Sequence, residues 1–218
     1  MRLTRLLSAA LVLAMCGTSF AQEWTEFSSR EERFTVTFPG QPQITDTTWI
    51  SQFGVILPAR IYTGPEGSSR YSVTVVDYNP VERLLTERSR TLPALDLAIH
   101  DYGPGYWKTD VRSAIVYAAS KFLDRDAKVE TIMSSLADLV SGMLVQLTNR
   151  ADQSRTYASI YMHENRLIIA EATVPKGYPA PFIFQQSLGW LDENGARVRY
   201  QYPYHNDPDV SKPAPRGR

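Results

Sequence analysis

Apolar and polar residues alternate with a period of two along much of the chain, a pattern typical of strands with one buried face. The pattern is clearest in FTVTF, residues 34–38, and Pro39 then ends the strand because proline cannot donate to the sheet. We predict the other strands near Trp24 and Phe27 and at residues 45–52, 59–62, 71–78, 129–133, 142–149, 156–163, 167–174 and 198–202.

Apolar residues follow helical spacing in a second set of segments. We predict a helix that begins at Asn79-Pro80, a second piece at residues 94–100, the clearest helix at residues 110–123, and a last helix from Pro181 whose apolar side carries Phe184, Leu188 and Leu191. Residues 136–147 fit both a helical stripe and a strand, and the neighbouring predicted strands favour the strand.

Closely spaced strands with helices in two blocks predict an α+β fold. We expect an antiparallel β-sheet with helices packed on its faces, an α/β/α sandwich. Residues 22–204 would form a single domain. Residues 205–218 contain three prolines and few large apolar side chains, so we expect a flexible C-terminal tail.

The first 21 residues have the features of a secretory signal. Arg2 and Arg5 precede an apolar core at residues 6–15, and Ser19 and Ala21 place small side chains before a cleavage site. The core is too short to span a bilayer, so we expect an exported protein, periplasmic or secreted, without a transmembrane anchor. The one cysteine, Cys16, lies in this segment; lipidation at Cys16 is an alternative, but Met15 is not the small residue that lipidation requires before the cysteine.

Cleavage would leave 21 basic and 23 acidic residues, a net charge of about −2. A nearly neutral, mixed surface does not favour nucleic acid or an anionic membrane as partner. The mature chain would have no thiol chemistry, and we expect no cofactor.

The predicted hairpin at residues 156–174 carries the first candidate site. Tyr157, Ser159 and Tyr161 share a strand face with His163, at a tip formed by Glu164 and Asn165. Such a face could bind a ligand, although a polar sheet face is more often only solvated. We therefore consider Tyr157, Tyr161 and His163 candidate ligand-binding residues and expect the face to be exposed.

His100 and Asp101, at the start of a glycine-rich loop, are the second pair of candidate ligand-binding residues, and a carboxylate beside an imidazole can also orient a base. Adjacent residues point apart, which weakens this interpretation. The carboxylates of Asp124 and Asp126 could contact calcium, but calcium needs about six oxygen ligands and no matching loop follows. The chain has no histidines at metal-ligand spacing and no hydrolase or phosphate-loop motif, so we predict neither a metal site nor catalytic residues.

Two stretches resemble a known group of proteins. RFTVTFPGQP lies near the expected mature start, and RLIIAEATVPKG is followed by FIFQQSLGWLDENG. Together these motifs resemble bacterial secreted proteins with a PsbP-like fold. The resemblance implies an antiparallel sheet between helices and a non-enzymatic accessory or assembly role. It implies no binding residue.

These observations predict an exported, non-enzymatic accessory or binding protein of the cell envelope, whose partner would be another envelope protein or a small ligand. The alternatives are an envelope hydrolase that uses His100, Asp101 or His163, and a small-molecule or metal carrier that uses the tyrosine-bearing face.

Overall fold

The fold consists of two antiparallel sheets and three helices within the part of the chain that the computed structural model describes, residues 23–65, 67–91 and 105–209. The strands are β1 Trp24–Ser29, β2 Phe34–Pro39, β3 Gln43–Ile50, β4 Ile56–Thr63, β5 Arg70–Asp77, β6 Ala127–Ala137, β7 Val140–Asn149, β8 Arg155–His163, β9 Arg166–Val174, β10 Gly189–Leu191 and β11 Arg197–Val198. The helices are α1 Val81–Thr91, α2 Tyr106–Leu123 and α3 Phe182–Gln186.

The larger sheet has seven strands in the order β3-β4-β5-β9-β8-β7-β6. Helix α2 packs against β7, β8 and β9 on one face of this sheet and also contacts α1. Its buried stripe, which includes Val111, Ala114, Ala118 and Phe122, follows the predicted helical spacing. An apolar core that includes Leu147, Ile160 and Ile169 lies between the helices and the sheet.

The smaller sheet has the order β1-β2-β10-β11. Its Phe34, Val36 and Phe38 belong to a second core with Val73 and Ile168 of the larger sheet. Helix α3 contributes Phe184 to the same core. The second face of the larger sheet is therefore covered mainly by another sheet and by a helix of five residues, whereas the sequence predicted helices on both faces.

The α+β class and the antiparallel pairing are confirmed, the favoured strand at residues 136–147 is confirmed as well, and the last helix is shorter than predicted. Residues 136–147 belong to β6, β7 and the turn between them, so the helical reading of that stretch is wrong. The last helix ends at Gln186, and Leu191 lies in β10 rather than on the helix. The predicted second helical piece at residues 94–100 lies outside the described residues.

The hairpin of β8 and β9 turns at Glu164 and Asn165, as predicted. Both residues have positive φ, 48° and 57°, the backbone that a two-residue hairpin of the favoured type requires. The backbone N–H of Glu164 donates to the hydroxyl of Tyr204, and that of Asn165 donates to the side chain of Asn206. The C-terminal segment is therefore held against this turn.

The segment predicted to be a flexible tail starts at His205, and its first residues contact helix α2. Asp207 and Asp209 both form ion pairs with Arg112, and Asp209 also pairs with Lys108. These pairs are partly exposed, so each contributes little to the free energy of unfolding, but together they place residues 207–209 beside the helix.

Asp110 joins helix α2 to the turn after β3. Its side chain is fully buried, and Ser51 Oγ donates a hydrogen bond to Oδ2 at 2.5 Å. Ser51 Oγ also accepts a hydrogen bond from the backbone N–H of Val55. Burial raises the pKa of Asp110 to about 6, although the hydrogen bond from Ser51 acts in the opposite direction.

We predict that Asp110 makes stability depend on pH. The carboxyl pKa in the unfolded chain is about 3.9, so between about pH 4 and pH 6 the folded state keeps a proton that the unfolded state releases. The contribution of Asp110 to the free energy of unfolding then falls as pH rises, by about 1.4 kcal/mol per pH unit. Asp110→Asn cannot titrate and removes this slope, which urea unfolding at several pH values measures.

Asp124→Asn is the control, since this exposed side chain lies just beyond the same helix. It should leave the pH profile unchanged. Identical profiles for the wild type and Asp110→Asn would contradict the assignment to Asp110.

Candidate functional site

The four side chains that the sequence placed on one strand face do share that face of β8, but none is exposed. Tyr157, Ser159, Tyr161 and His163 are 5%, 1%, 3% and 0% exposed. The expectation of a solvated face is therefore wrong. The smaller sheet and the segments after it cover this side of β8, and the consequences differ along the strand.

His163 lies in an aromatic enclosure in the interior. Its ring centroid is 4.8 Å from that of Trp190 and 5.2 Å from that of Tyr204. Its Nε2 lies 2.8 Å from the hydroxyl of Tyr200. The imidazole thus packs under β10 and the C-terminal segment instead of lying at an exposed hairpin tip.

Tyr157 is also covered, and the guanidinium of Arg155 lies 5.7 Å from its ring centroid. Arg155 in turn donates to the backbone carbonyl of Tyr178, which holds the segment after β9 across this end of the strand. His100 and Asp101 lie outside the described residues, so their predicted pairing stays a prediction.

Ser159 and Tyr161 line a cavity of about 610 Å³. The cavity lies where the β6–β7 hairpin, helix α3 and the outward side of the smaller sheet meet. Its lining includes Gln146 of β7, Gln185 and Gln186 of α3, and we call it the glutamine cleft. The complete lining is Glu26, Thr37, Ser135, Leu136, Ala137, Asp138, Leu144, Gln146, Ser159, Tyr161, Phe182, Gln185, Gln186, Ser187, Leu188, Arg197 and Arg199.

Two hydroxyl groups on β8 contribute to the lining. Ser159 Oγ is buried and has no hydrogen-bond partner among the described residues. The Tyr161 hydroxyl lies 3.0 Å from Ser135 Oγ, and burial raises the pKa of Tyr161, so the phenol stays protonated at neutral pH. A protonated phenol can donate a hydrogen bond to a ligand or to Ser135.

Gly142 determines where the Tyr161 ring lies. The two residues face each other across β7 and β8, and a Cβ at Gly142 would lie 2.2 Å from Tyr161 Cδ1 and 2.3 Å from the carbonyl oxygen of Ile160. Only glycine leaves room for the ring against the strand. The ring also packs edge-on against Trp190 at a centroid distance of 5.8 Å, which fixes its second side.

The amide side chains of the cleft are open to solvent: Gln146 and Gln185 are half-buried, and Gln186 is exposed. Gln146, Gln185 and Gln186 form no side-chain hydrogen bond within the described part of the chain, and neither do Asp138 and Arg199. Each glutamine offers two donors and one acceptor oxygen. The cleft therefore presents polar groups whose hydrogen-bonding capacity the folded protein does not use.

A second cavity, of about 570 Å³, differs in this respect. It lies on the helix side of the larger sheet, and its polar groups bond to one another. Asn149 Nδ2 donates to Thr156 Oγ1, which lies 3.0 Å from Thr173 Oγ1, and Arg125 forms two hydrogen bonds to Glu171. Because these groups are already satisfied, the second cavity is the weaker candidate.

The sequence located part of this site. Tyr161 was a candidate and Ser159 was recognised on its face, whereas the three glutamines were missed. Glutamine within an alternating strand or beside Phe184 carries no signal of its own, because the same residue is usually a solvated side chain. Only the contacts of the folded chain show that these amides converge on one cavity.

The described residues were compared with two simple structural requirements, one for a metal site and one for a membrane-spanning helix. They contain no group of three or more His, Cys, Asp or Glu side chains placed to hold a metal ion. None of their helices combines the length and the apolar character needed to cross a bilayer.

Comparisons with known proteins give a likeness in structure but none in sequence. No protein-family model and no curated sequence matches the chain. Among solved structures, it is similar to the solution structure of cyanobacterial PsbP (CyanoP) from Synechocystis sp. PCC 6803, with 14% sequence identity and a TM-score of 0.43 over 82% of this chain and 99% of that chain. This is the group that the sequence motifs resemble.

We predict that Gly142→Ala disturbs the cleft. The added methyl group must displace the Tyr161 ring and the β8 backbone, at a cost of about 1–3 kcal/mol in the free energy of unfolding. The cost should be smaller in a Tyr161→Ala background, since the ring is then gone. Urea unfolding of the four proteins in this cycle measures both effects.

Ser141→Ala, one residue earlier on the same strand, is the matched control and should cost much less. If Gly142→Ala unfolds at the same urea concentration as the wild type, the close approach of Tyr161 to β7 is not a constraint.

Proposed function

We propose that the chain is an exported, non-enzymatic binding protein of the cell envelope and that its ligand occupies the glutamine cleft. The observation that carries this proposal is the set of unpaired polar groups at the cleft, above all the buried hydroxyl of Ser159. A buried polar group without a partner costs about 1–3 kcal/mol, and a ligand that pairs with it recovers that free energy.

The composition of the cleft supports binding over catalysis. None of the described residues that line it is a histidine or a cysteine, so no imidazole of the described part of the chain lies beside the Ser159 hydroxyl to act as a general base. Of the two acidic residues of the lining, Glu26 forms an ion pair with Arg197. A cavity with these groups can orient a ligand through hydrogen bonds, which is the usual role of a few polar groups in a binding pocket.

The proposals of export and of a non-enzymatic role depend on residues outside the cleft. The leader-like residues 1–21 support export. The rival hydrolase would now depend on His100 and Asp101, because His163 is enclosed by aromatic rings. A turnover by the purified mature protein that disappears with His100→Ala would favour the rival.

We predict that the double variant Gln146→Ala, Gln185→Ala folds normally and loses its ligand. Neither side chain makes a hydrogen bond to the residues that the structure describes, so the free energy of unfolding should change by only about 0.5 kcal/mol. Native mass spectrometry of the tagged protein, purified gently from the cells that make it, should show a bound species for the wild type and a loss of that species for the variant.

The matched control is Gln43→Ala with Gln52→Ala, which removes two exposed glutamines away from the cleft. It should retain the bound species. Equal retention by all three proteins would place the binding site elsewhere, and a wild-type protein that carries nothing would count against a resident ligand.

A further inference from the structure

We infer that the glutamine cleft binds a polypeptide segment of another protein, one with uncharged and partly apolar side chains. This inference rests on the proposed function and names the class of ligand. Three properties of the lining lead to it: unpaired amides, balanced charge and an apolar rim.

The amides favour a ligand that offers donors and acceptors side by side. Gln146, Gln185 and Gln186 each carry an N–H donor and a carbonyl acceptor on the same side-chain amide. A peptide group has the same donor and acceptor pair, so successive peptide groups can satisfy several glutamines. The hydroxyls of Ser159 and Tyr161 add further groups that can pair with a peptide carbonyl.

The charges of the lining oppose an ionic ligand. Arg197 and Arg199 are balanced by Glu26 and Asp138, and the pair formed by Arg197 and Glu26 neutralises one charge of each sign. A phosphate or nucleic acid would gain from the arginines but approach two carboxylates, whereas an uncharged segment meets no such conflict.

The rim exposes large apolar side chains. Leu136 of β6 and Phe182 of α3 both line the cleft and are 55% and 61% exposed. Ile183 follows Phe182 and is 59% exposed. Burial of such side chains by a ligand removes apolar surface from water and so favours the complex. Apolar side chains of a bound polypeptide would cover this rim.

The combination selects a polypeptide over other neutral ligands. A lipid chain would cover Leu136 and Phe182, but it would displace water from the glutamines without replacing the hydrogen bonds of that water. A sugar would pair with the glutamines but leave the apolar rim exposed. A polypeptide offers peptide groups for the lining and side chains for the rim, and binding of an extended segment through both is an established mode of recognition.

Site-specific photocrosslinking in the cells that make the full chain tests the inference. The probe is p-benzoylphenylalanine in place of Phe182, at the rim of the cleft. The matched control carries the same probe in place of Val116, which is also 61% exposed but lies on helix α2, at the opposite face of the larger sheet. Mass spectrometry of the adducts identifies what each position contacts.

We expect the probe at position 182 to crosslink repeatedly to one segment of one other protein, and the probe at position 116 not to do so. A synthetic peptide of that segment should then bind the purified mature protein. Binding should weaken at least several-fold in the Gln146→Ala, Gln185→Ala variant and persist in the Gln43→Ala, Gln52→Ala control.

The remaining outcomes separate the two proposals. Adducts of a lipid, a sugar or another small molecule at position 182 would overturn the polypeptide assignment and leave the binding function in place. Equal adducts at positions 182 and 116, or none at position 182, would overturn both.

Discussion

The rest of the structure depends on the central hairpin of β8 and β9, which is buried on both faces. Nearly every side chain of these two strands is covered, whichever way it points. A sheet with two buried faces needs a covering layer on each side, because its apolar side chains would otherwise face water. Helices α1 and α2 supply one layer, and the smaller sheet with α3 supplies the other. The glutamine cleft lies where the second layer stops and the β6–β7 hairpin projects beyond it.

Local patterns predicted most of the elements that surround this hairpin. The alternation in β9 and the stripe of α2 follow directly from the periods of a strand and a helix. Residues 136–147 were ambiguous because apolar residues there fit both periods. The pairing of β7 with β8 explains why this stretch is a strand. Gly142 lies opposite Tyr161, and the aromatic ring fills the space that a side chain at position 142 would need. That reason involves a partner strand, so a single stretch of sequence does not contain it.

The same limit explains the mixed result at the candidate site. Tyr161 and His163 are two residues apart on one strand face, so the period-two pattern predicts the same exposure for both side chains. Trp190, Tyr200 and Tyr204, which come much later in the chain, enclose His163, while Tyr161 also contributes to the cleft. Burial of that face was predicted wrongly because its cover comes from distant segments. The three glutamines were missed for a similar reason, because only the folded structure shows that their side chains line one cavity.

The smaller sheet is built from both ends of the described chain, since Thr35 of β2 pairs with Gly189 of β10. The hairpins of the larger sheet join neighbours in sequence, but this pairing closes a loop that contains nearly the whole domain. Contacts across so long a loop cost more entropy to form and tend to form late in folding. A chain that lacks the segment after residue 188 cannot complete that sheet, because β10 and β11 belong to it. The wall of the cleft that Arg197 and Arg199 contribute therefore forms late, once the segment that carries them has joined the smaller sheet.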